Sequence, residues 1–297
     1  MTNNRDSVEA PSELEASRGF LSDITPVIPH YTYRGKEQFL ADFDHAMYTS
    51  PSEWCLITAV DPQTFAKVFP NSHDKDCPFS RWCAYDKQLE RLLVRTMTHS
   101  EHQMASRAFY DMVMEAVTAA GMRRKSLRAV GTTTYGDRNM GHKEADEAWV
   151  PTRLPRGHTR LWPTAVLEIA FSETASKLRA DVRYWSRASG GDVRTVFTLE
   201  IYEHAARIIL EKWENDGDGH GHHRRQRIEI TRRNNGQITV SEAPLTIDFE
   251  KLFLRPPEGP QEQRIEMNAV MLQELAEYVW DEQDRKKAGS GGGGLGA

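Results

Sequence analysis

Cysteine is scarce in this chain, with three among 297 residues. An odd trio at this length makes no disulfide framework and fits a reducing compartment. Long apolar runs are missing as well: no stretch approaches the ~20 apolar residues that a membrane span needs. The opening, "MTNNRDSVEAPSELEASRG", has no signal-peptide core. These absences predict an intracellular protein, cytoplasmic or nuclear, with no membrane partner. A basic excess is also lacking. Lys and Arg number 38 against 43 Asp and Glu, for a net charge of -5. No global field therefore gathers polyanions, and any nucleic-acid contact must rest on a local patch. The glycines of "GTTTYGDRNMG" lack Walker spacing, which argues against a P-loop.

What remains has the balance of an ordinary globular chain long enough to bury a sizeable core. Residues 1–25, rich in Ser, Glu, Asn and Pro, read as a disordered leader, and the Gly-rich end over 286–297 reads as a flexible tail. Residues 26–84 form an N-terminal extension of uncertain fold, with helices expected in "KEQFLADFDHAMY" and "PQTFAKVF". Its end, "NSHDKDCPFSRWC", offers His73, Cys77 and Cys83 to a zinc ion. The five residues between the cysteines do not match structural-site spacing, and half-buried cysteines in a loop account for them better. Asp74 and Asp76 do not repair the spacing.

The signals sharpen over 85–285. "LERLLVRTMT" reads as a strand, "HSEHQMASRAFYDMVMEAVTAAGM" as a helix ended by Gly121, and "SLRAVGTTTY" as β-rich. "ADEAWVP" reads as a short strand stopped by Pro151. "TAVLEIAF" is apolar enough for a sheet covered on both faces. "SETASKLRADVRYWSRASGG" places Ala175, Leu178, Val182 and Trp185 on one helical stripe. Two strands follow, "VRTVFTLEIY" and "ARIILEKWE", then an insertion "NDGDGHGHHRRQ", a hairpin turn at "NNG", and a last helix with Leu272, Leu275 and Val279 in a stripe. The order strand, helix, three strands, helix, two strands predicts an α/β fold with a mixed central sheet flanked by helices, carrying β-hairpin and C-terminal helix extensions.

Two apolar segments each carry an acid. In "AVLEIAF" Val166, Glu168 and Ala170 share one face, while Leu167, Ile169 and Phe171 share the other. Glu168 is thus a carboxylate in a buried strand, where an unpaired charge costs several kcal/mol, of order ~3–5. Asp146 in "KEADEAWVP" is its natural neighbour. An adjacent Asp and Glu are chemically sufficient for Mg²⁺ completed by water and phosphate oxygens. An ion pair with Lys177, Arg179 or another arginine satisfies the same carboxylate.

The run from Asp146 through "WPTAVLEIAFSETASKLRADVRYWSRASGGDVRTVFTLEI" resembles the PD-(D/E)XK, or restriction-endonuclease-like, superfamily in its Uma2-like branch, and is similar to uncharacterised fungal proteins of that superfamily. The likeness begins near "LLVRTMTHSEHQMASR" and extends through "EKWE" and "FEKLFLRPP" to "LAEYVW", about 200 residues. It implies metal-dependent hydrolysis of phosphodiester bonds in DNA or RNA, with Asp146 and Glu168 holding Mg²⁺ or Mn²⁺. Glu101 or His102, at the start of the first helix, would supply a further polar group. The motif lysine belongs two residues after Glu168, where this chain has Ala170. The resemblance then moves the basic role to Lys177, with Asp181 one turn later, or else implies a degenerate nuclease fold that binds nucleic acid or protein without cleaving. Lys177 as an ordinary surface lysine is the plain alternative.

Arg179, Arg183 and Arg187 recur every four residues. With Arg153, Arg156, His158 and Arg160 of the preceding loop they would line a nucleic-acid cleft. The plain reading is a solvated helix face. "HGHHRRQR" reads as an exposed hairpin loop, and Trp162, Trp185 and Trp213 as core residues.

Overall fold

The computed structural model describes residues 19–24, 28–69, 77–131, 133–171, 174–216, 221–259, 262 and 265–291, with side chains through 288. The expected leader lies outside the described residues except for 19–24, and the expected tail except for its first part. His73, Asp74 and Asp76 of the zinc motif also lie outside, while Cys55, Cys77 and Cys83 are free thiols.

The expected mixed sheet is present. It has seven strands: β5 (Leu127–Ala129), β8 (Glu147–Pro151), β9 (Ala165–Phe171), β10 (Thr195–Ile201), β11 (Arg207–Asn215), β12 (His222–Arg232) and β13 (Ile238–Val240), in the order β13-β12-β11-β10-β9-β8-β5. β8 runs antiparallel to β9, pairing Glu147 with Leu167, and β9 runs parallel to β10, pairing Glu168 with Thr198. A parallel pair needs a crossover, supplied here by helix α4 (Ala175–Ala188).

Every residue of β9 is buried, and its alternation divides two cores. Leu167, Ile169 and Phe171 pack with helices α3 (Ser100–Ala119) and α6 (Ala269–Gly291), including Phe109, Leu272, Leu275 and Val279. Val166 packs on the opposite face with Val182 and Trp185 of α4. Glu168 therefore points from the α4 face of the sheet into a second core.

That core is closed by a six-stranded sheet: β1 (His30–Thr32), β2 (Trp54–Thr58), β3 (Trp82–Asp86), β4 (Arg91–Arg95), β6 (Thr134–Asp137) and β7 (Gly141–Glu144), in the order β1-β2-β4-β3-β7-β6. The uncertain N-terminal extension thus contributes strands to a sheet shared with later sequence. Helices α1 (Lys36–Thr49) and α2 (Pro62–Val68) form where expected, the latter capped by Asp61, which accepts from the backbone N–H groups of Gln63 and Thr64. Helix α5 (Phe249–Phe253) and the hairpin of β14 (Leu245–Ile247) with β15 (Ile265–Met267) complete the first core.

Three expectations need correction. "KEADEAWVP" is not one strand segment: Lys143 ends on β7 of the six-stranded sheet, Asp146 sits in the junction, and only residues from Glu147 join β8. The junction is pinned because the Asp146 N–H donates to Leu167 O at 3.2 Å, so the chain leaves one sheet and enters the other there. "HGHHRRQR" is largely strand: β12 pairs with β11 along nine residues, with a bulge between Lys212 and Trp213; His222 is buried, while Arg224 and Arg225 are exposed. Residues 19–24 belong to the fold, with Phe20, Leu21 and Ile24 buried, Phe20 against the ring of Tyr184 and the Leu21 N–H on Asp86.

Candidate functional site

The face of β9 that carries Glu168 meets α4, β7 and the start of α3, and at that meeting the chain collects eight ionisable side chains. Glu168 accepts from the indole Nε1 of Trp185 at 2.7 Å; Lys143 Nζ stands 3.1 Å from each carboxylate oxygen and Lys177 Nζ 3.2 Å from Oε2. Helical spacing sets Lys177 and Asp181 on one flank, 2.6 Å apart, and Lys143 Nζ lies 2.9 Å from the other oxygen of Asp181. Two ammonium groups and two carboxylates thus form a closed ring, with no member more than 1% exposed.

Asp146 opens a second, connected group. Its Oδ2 accepts from the Ile169 N–H at 2.8 Å, and its Oδ1 lies 2.5 Å from the Arg95 guanidinium and 3.1 Å from His102 Nε2, the latter off-line for a hydrogen bond. His102 Nδ1 meets Glu53 at 3.2 Å, and Glu53 also accepts from the His99 N–H at 2.6 Å. Trp54 lies between the groups, with the Arg95 guanidinium 4.4 Å and Lys177 Nζ 4.9 Å from its ring. Arg95, with its side chain 21% exposed, is the most open member.

The electrostatics follow from burial opposed by proximity. Burial and the nearby Asp181 carboxylate push Glu168 up to about 7, against the pull of Lys143 and Lys177. Burial would also raise Asp146, but His102 and Arg95 outweigh it and hold the carboxyl well below its ordinary range. Asp181 is lowered too, burial being overcome by its two lysines. His102 is raised, because Asp146 and Glu53 more than offset desolvation. Four carboxylates face three permanent cations and one imidazole. The network is neutral either with Glu168 ionised and His102 protonated or with both groups uncharged.

Of the expected site residues, Asp146, Glu168, Lys177, Asp181 and His102 are brought together. Glu101 is not: it points away and pairs with Lys286 of α6 at 2.5 Å. The arginines do not form one row with the loop. Arg183 pairs with Asp23 at 3.1 Å, and Arg179 lies beside a groove with Glu200, Glu211 and Trp213. Arg153, Arg156 and Arg160 are exposed beyond the far end of β8. Sequence reasoning missed Lys143, Arg95, Glu53 and the donor role of Trp185. Lys143 left a trace: in "GHKE" it occupies the inward phase of β7, with Gly141.

A divalent ion gripped by Asp146 and Glu168 does not fit this arrangement. Mg²⁺ needs carboxylate oxygens free to face it and each other. Here those oxygens face Arg95, His102 and a backbone amide on one side and Lys143, Lys177 and an indole on the other. Among the described residues, no group of three or more His, Cys, Asp or Glu side chains is disposed to hold a metal.

No family model matches the chain, and no curated protein matches it. Among solved structures it is similar to a candidate nuclease of the DUF820 family from Anabaena variabilis, at 10% identity and a TM-score of 0.33, over 63% of this chain and 87% of that one. A superposition that loose assigns neither fold nor activity. No helix among the described residues is long and apolar enough to cross a membrane.

Proposed function

We propose that the chain is a nuclease-fold binding module whose acid pair has become a structural charge network, without a hydrolytic step. One observation carries this reading: Lys143 Nζ stands between Glu168 and Asp181, at 3.1 and 2.9 Å, in the space beside the acid that a catalytic ion would need. A dication added to a neutral, buried network would have to expel a hydrogen-bonded ammonium group, and both desolvation and charge oppose that. The element order is compatible with the nuclease-fold part of the reading: α3, then β5, β8 and β9, then α4 and the parallel β10 follow the order read from the sequence, with β6 and β7 of the other sheet inserted between β5 and β8, and Glu168 is central on β9.

The convergence of Asp146, Glu168 and Lys177 favours a second reading, a Mg²⁺- or Mn²⁺-dependent nuclease of DNA or RNA in which Lys143 swings aside. Incubation of the full chain with supercoiled plasmid, duplex and single-stranded oligonucleotides in Mg²⁺ or Mn²⁺ separates the two. The module reading expects no divalent-dependent cleavage above that of an Asp146→Ala, Glu168→Ala variant. Cleavage by the wild type that this variant loses would establish the nuclease.

A further inference from the structure

The chain is acidic overall, yet two segments contain no acid at all. Residues 121–128, "GMRRKSLR", and 151–162, "PTRLPRGHTRLW", hold seven Lys and Arg and no Asp or Glu. The fold brings them side by side. β5 pairs with β8 through Leu127 and Pro151, the Thr152 N–H donates to Ser126 O at 2.9 Å, and the Thr152 hydroxyl donates to Lys125 O at 2.6 Å. Arg160 folds back to donate to Thr152 O at 2.7 Å, which ties the loop onto the same corner.

Arg123, Arg124, Lys125, Arg153, Arg156 and Arg160 are all exposed there. Many arginines elsewhere have carboxylate partners, as in Arg207 with Glu229 or Arg255 with Glu262. Within this group, among the described residues, only Arg124 has a carboxylate within 4 Å, Asp111 at 3.8 Å, and its guanidinium also lies over the Tyr110 ring. Like charges gathered without counter-charges repel one another, so an anion is the complementary ligand. The predominance of arginine over lysine selects among anions, because the guanidinium fork matches phosphate oxygens two at a time.

We propose that this corner, at the β5 edge of the seven-stranded sheet, docks the phosphate backbone of a nucleic acid. The surface is separate from the buried network. Asp146 and Thr152 stand at opposite ends of β8, about 20 Å apart at ~3.3 Å per residue. A strand held at the corner is therefore not presented to Glu168. The proposal names the partner of the module, and it stands whether or not the chain cleaves, since binding and cleavage are read separately.

Fluorescence anisotropy of labelled single-stranded DNA, duplex DNA and single-stranded RNA, titrated with the full chain at two salt concentrations, tests it. Binding is expected to weaken with salt for at least one polymer. Arg123→Glu with Lys125→Glu, and separately Arg153→Glu with Arg156→Glu, are each expected to weaken it roughly tenfold or more and flatten the salt slope by about two. Arg179→Glu with Arg187→Glu changes the net charge equally and is expected to bind much as the wild type does. Three results overturn the proposal: no salt-dependent binding to any polymer, an equal loss in the Arg179 and Arg187 variant, or retention only on vesicles with anionic phospholipid.

Discussion

Lys143 crosses from the six-stranded sheet to the seven-stranded one and sets its ammonium 3.1 Å from both oxygens of Glu168. Neither partner has an exposed atom of consequence, so each depends on the other for the solvation that water would otherwise give. Removing one charge from such a pair strands the second.

Lys143→Met is accordingly expected to destabilise the fold by about 3–5 kcal/mol in urea unfolding. Adding Glu168→Gln to that variant should restore part of the loss, because the stranded acid is then gone. Strictly additive losses in the two single variants and the double would show that the residues do not act as a pair.

The network also sets a direction for stability against pH. Glu168 is raised from 4.5 to about 7, so between those values the folded chain holds a proton that the unfolded chain lacks. Its contribution is complete below pH 4.5 and is lost as pH rises to about 7. His102, raised above 6.5, acts in the same sense from that pH upward. Asp146, Asp181 and Glu53 act oppositely: their lowered values stabilise at pH above the ordinary carboxylate range, and acidification removes that contribution. Tm should therefore decline from about pH 5 toward pH 8, and Glu168→Gln should remove the share of the decline that falls below pH 7. Parallel profiles for wild type and variant across pH 5–7 would contradict the raised Glu168.

Gly141 fixes the strand that delivers Lys143. Its φ of +115° and the position of its missing Cβ, 2.0 Å from Tyr85 O, leave no room for a side chain. Gly141→Ala is expected to cost more than ~3 kcal/mol, since both backbone strain and a clash with fixed main chain are involved. Gly157, with φ +89° but nothing near its Cβ, serves as a comparison and should lose less.

Much of this was legible in residue patterns. The period of two in "AVLEIAF" placed Glu168 on the opposite face from Leu167 and Ile169, and the stripe of Ala175, Leu178, Val182 and Trp185 located the helix that covers that face. Two short-range features also held: the buried stripe of Leu272, Leu275 and Val279, and the "NNG" turn between β12 and β13 with Gly236 at φ +81°. The neutralising partners were not legible, for a physical reason. Arg95 and Glu53 reach the site from β4 and the start of β2, and no local periodicity reports which distant strands will pair. Lys143 lies three residues before Asp146, but its role depends on the passage from one sheet to the other at Ala145 and Asp146, which only the pairing of the two separate sheets reveals.

The claim that the acid pair is closed by protein cations is tested most directly by thermal unfolding of the full chain over a Mn²⁺ titration to 100 times a ~0.1 mM affinity. A site of that strength would add about 2.7 kcal/mol of stability at the top of that titration. The closed network predicts a Tm that does not move with Mn²⁺ in wild type, and a Tm of Asp146→Asn that is lower but equally flat. A Tm that climbs by several degrees in wild type and stays level in Asp146→Asn would contradict it.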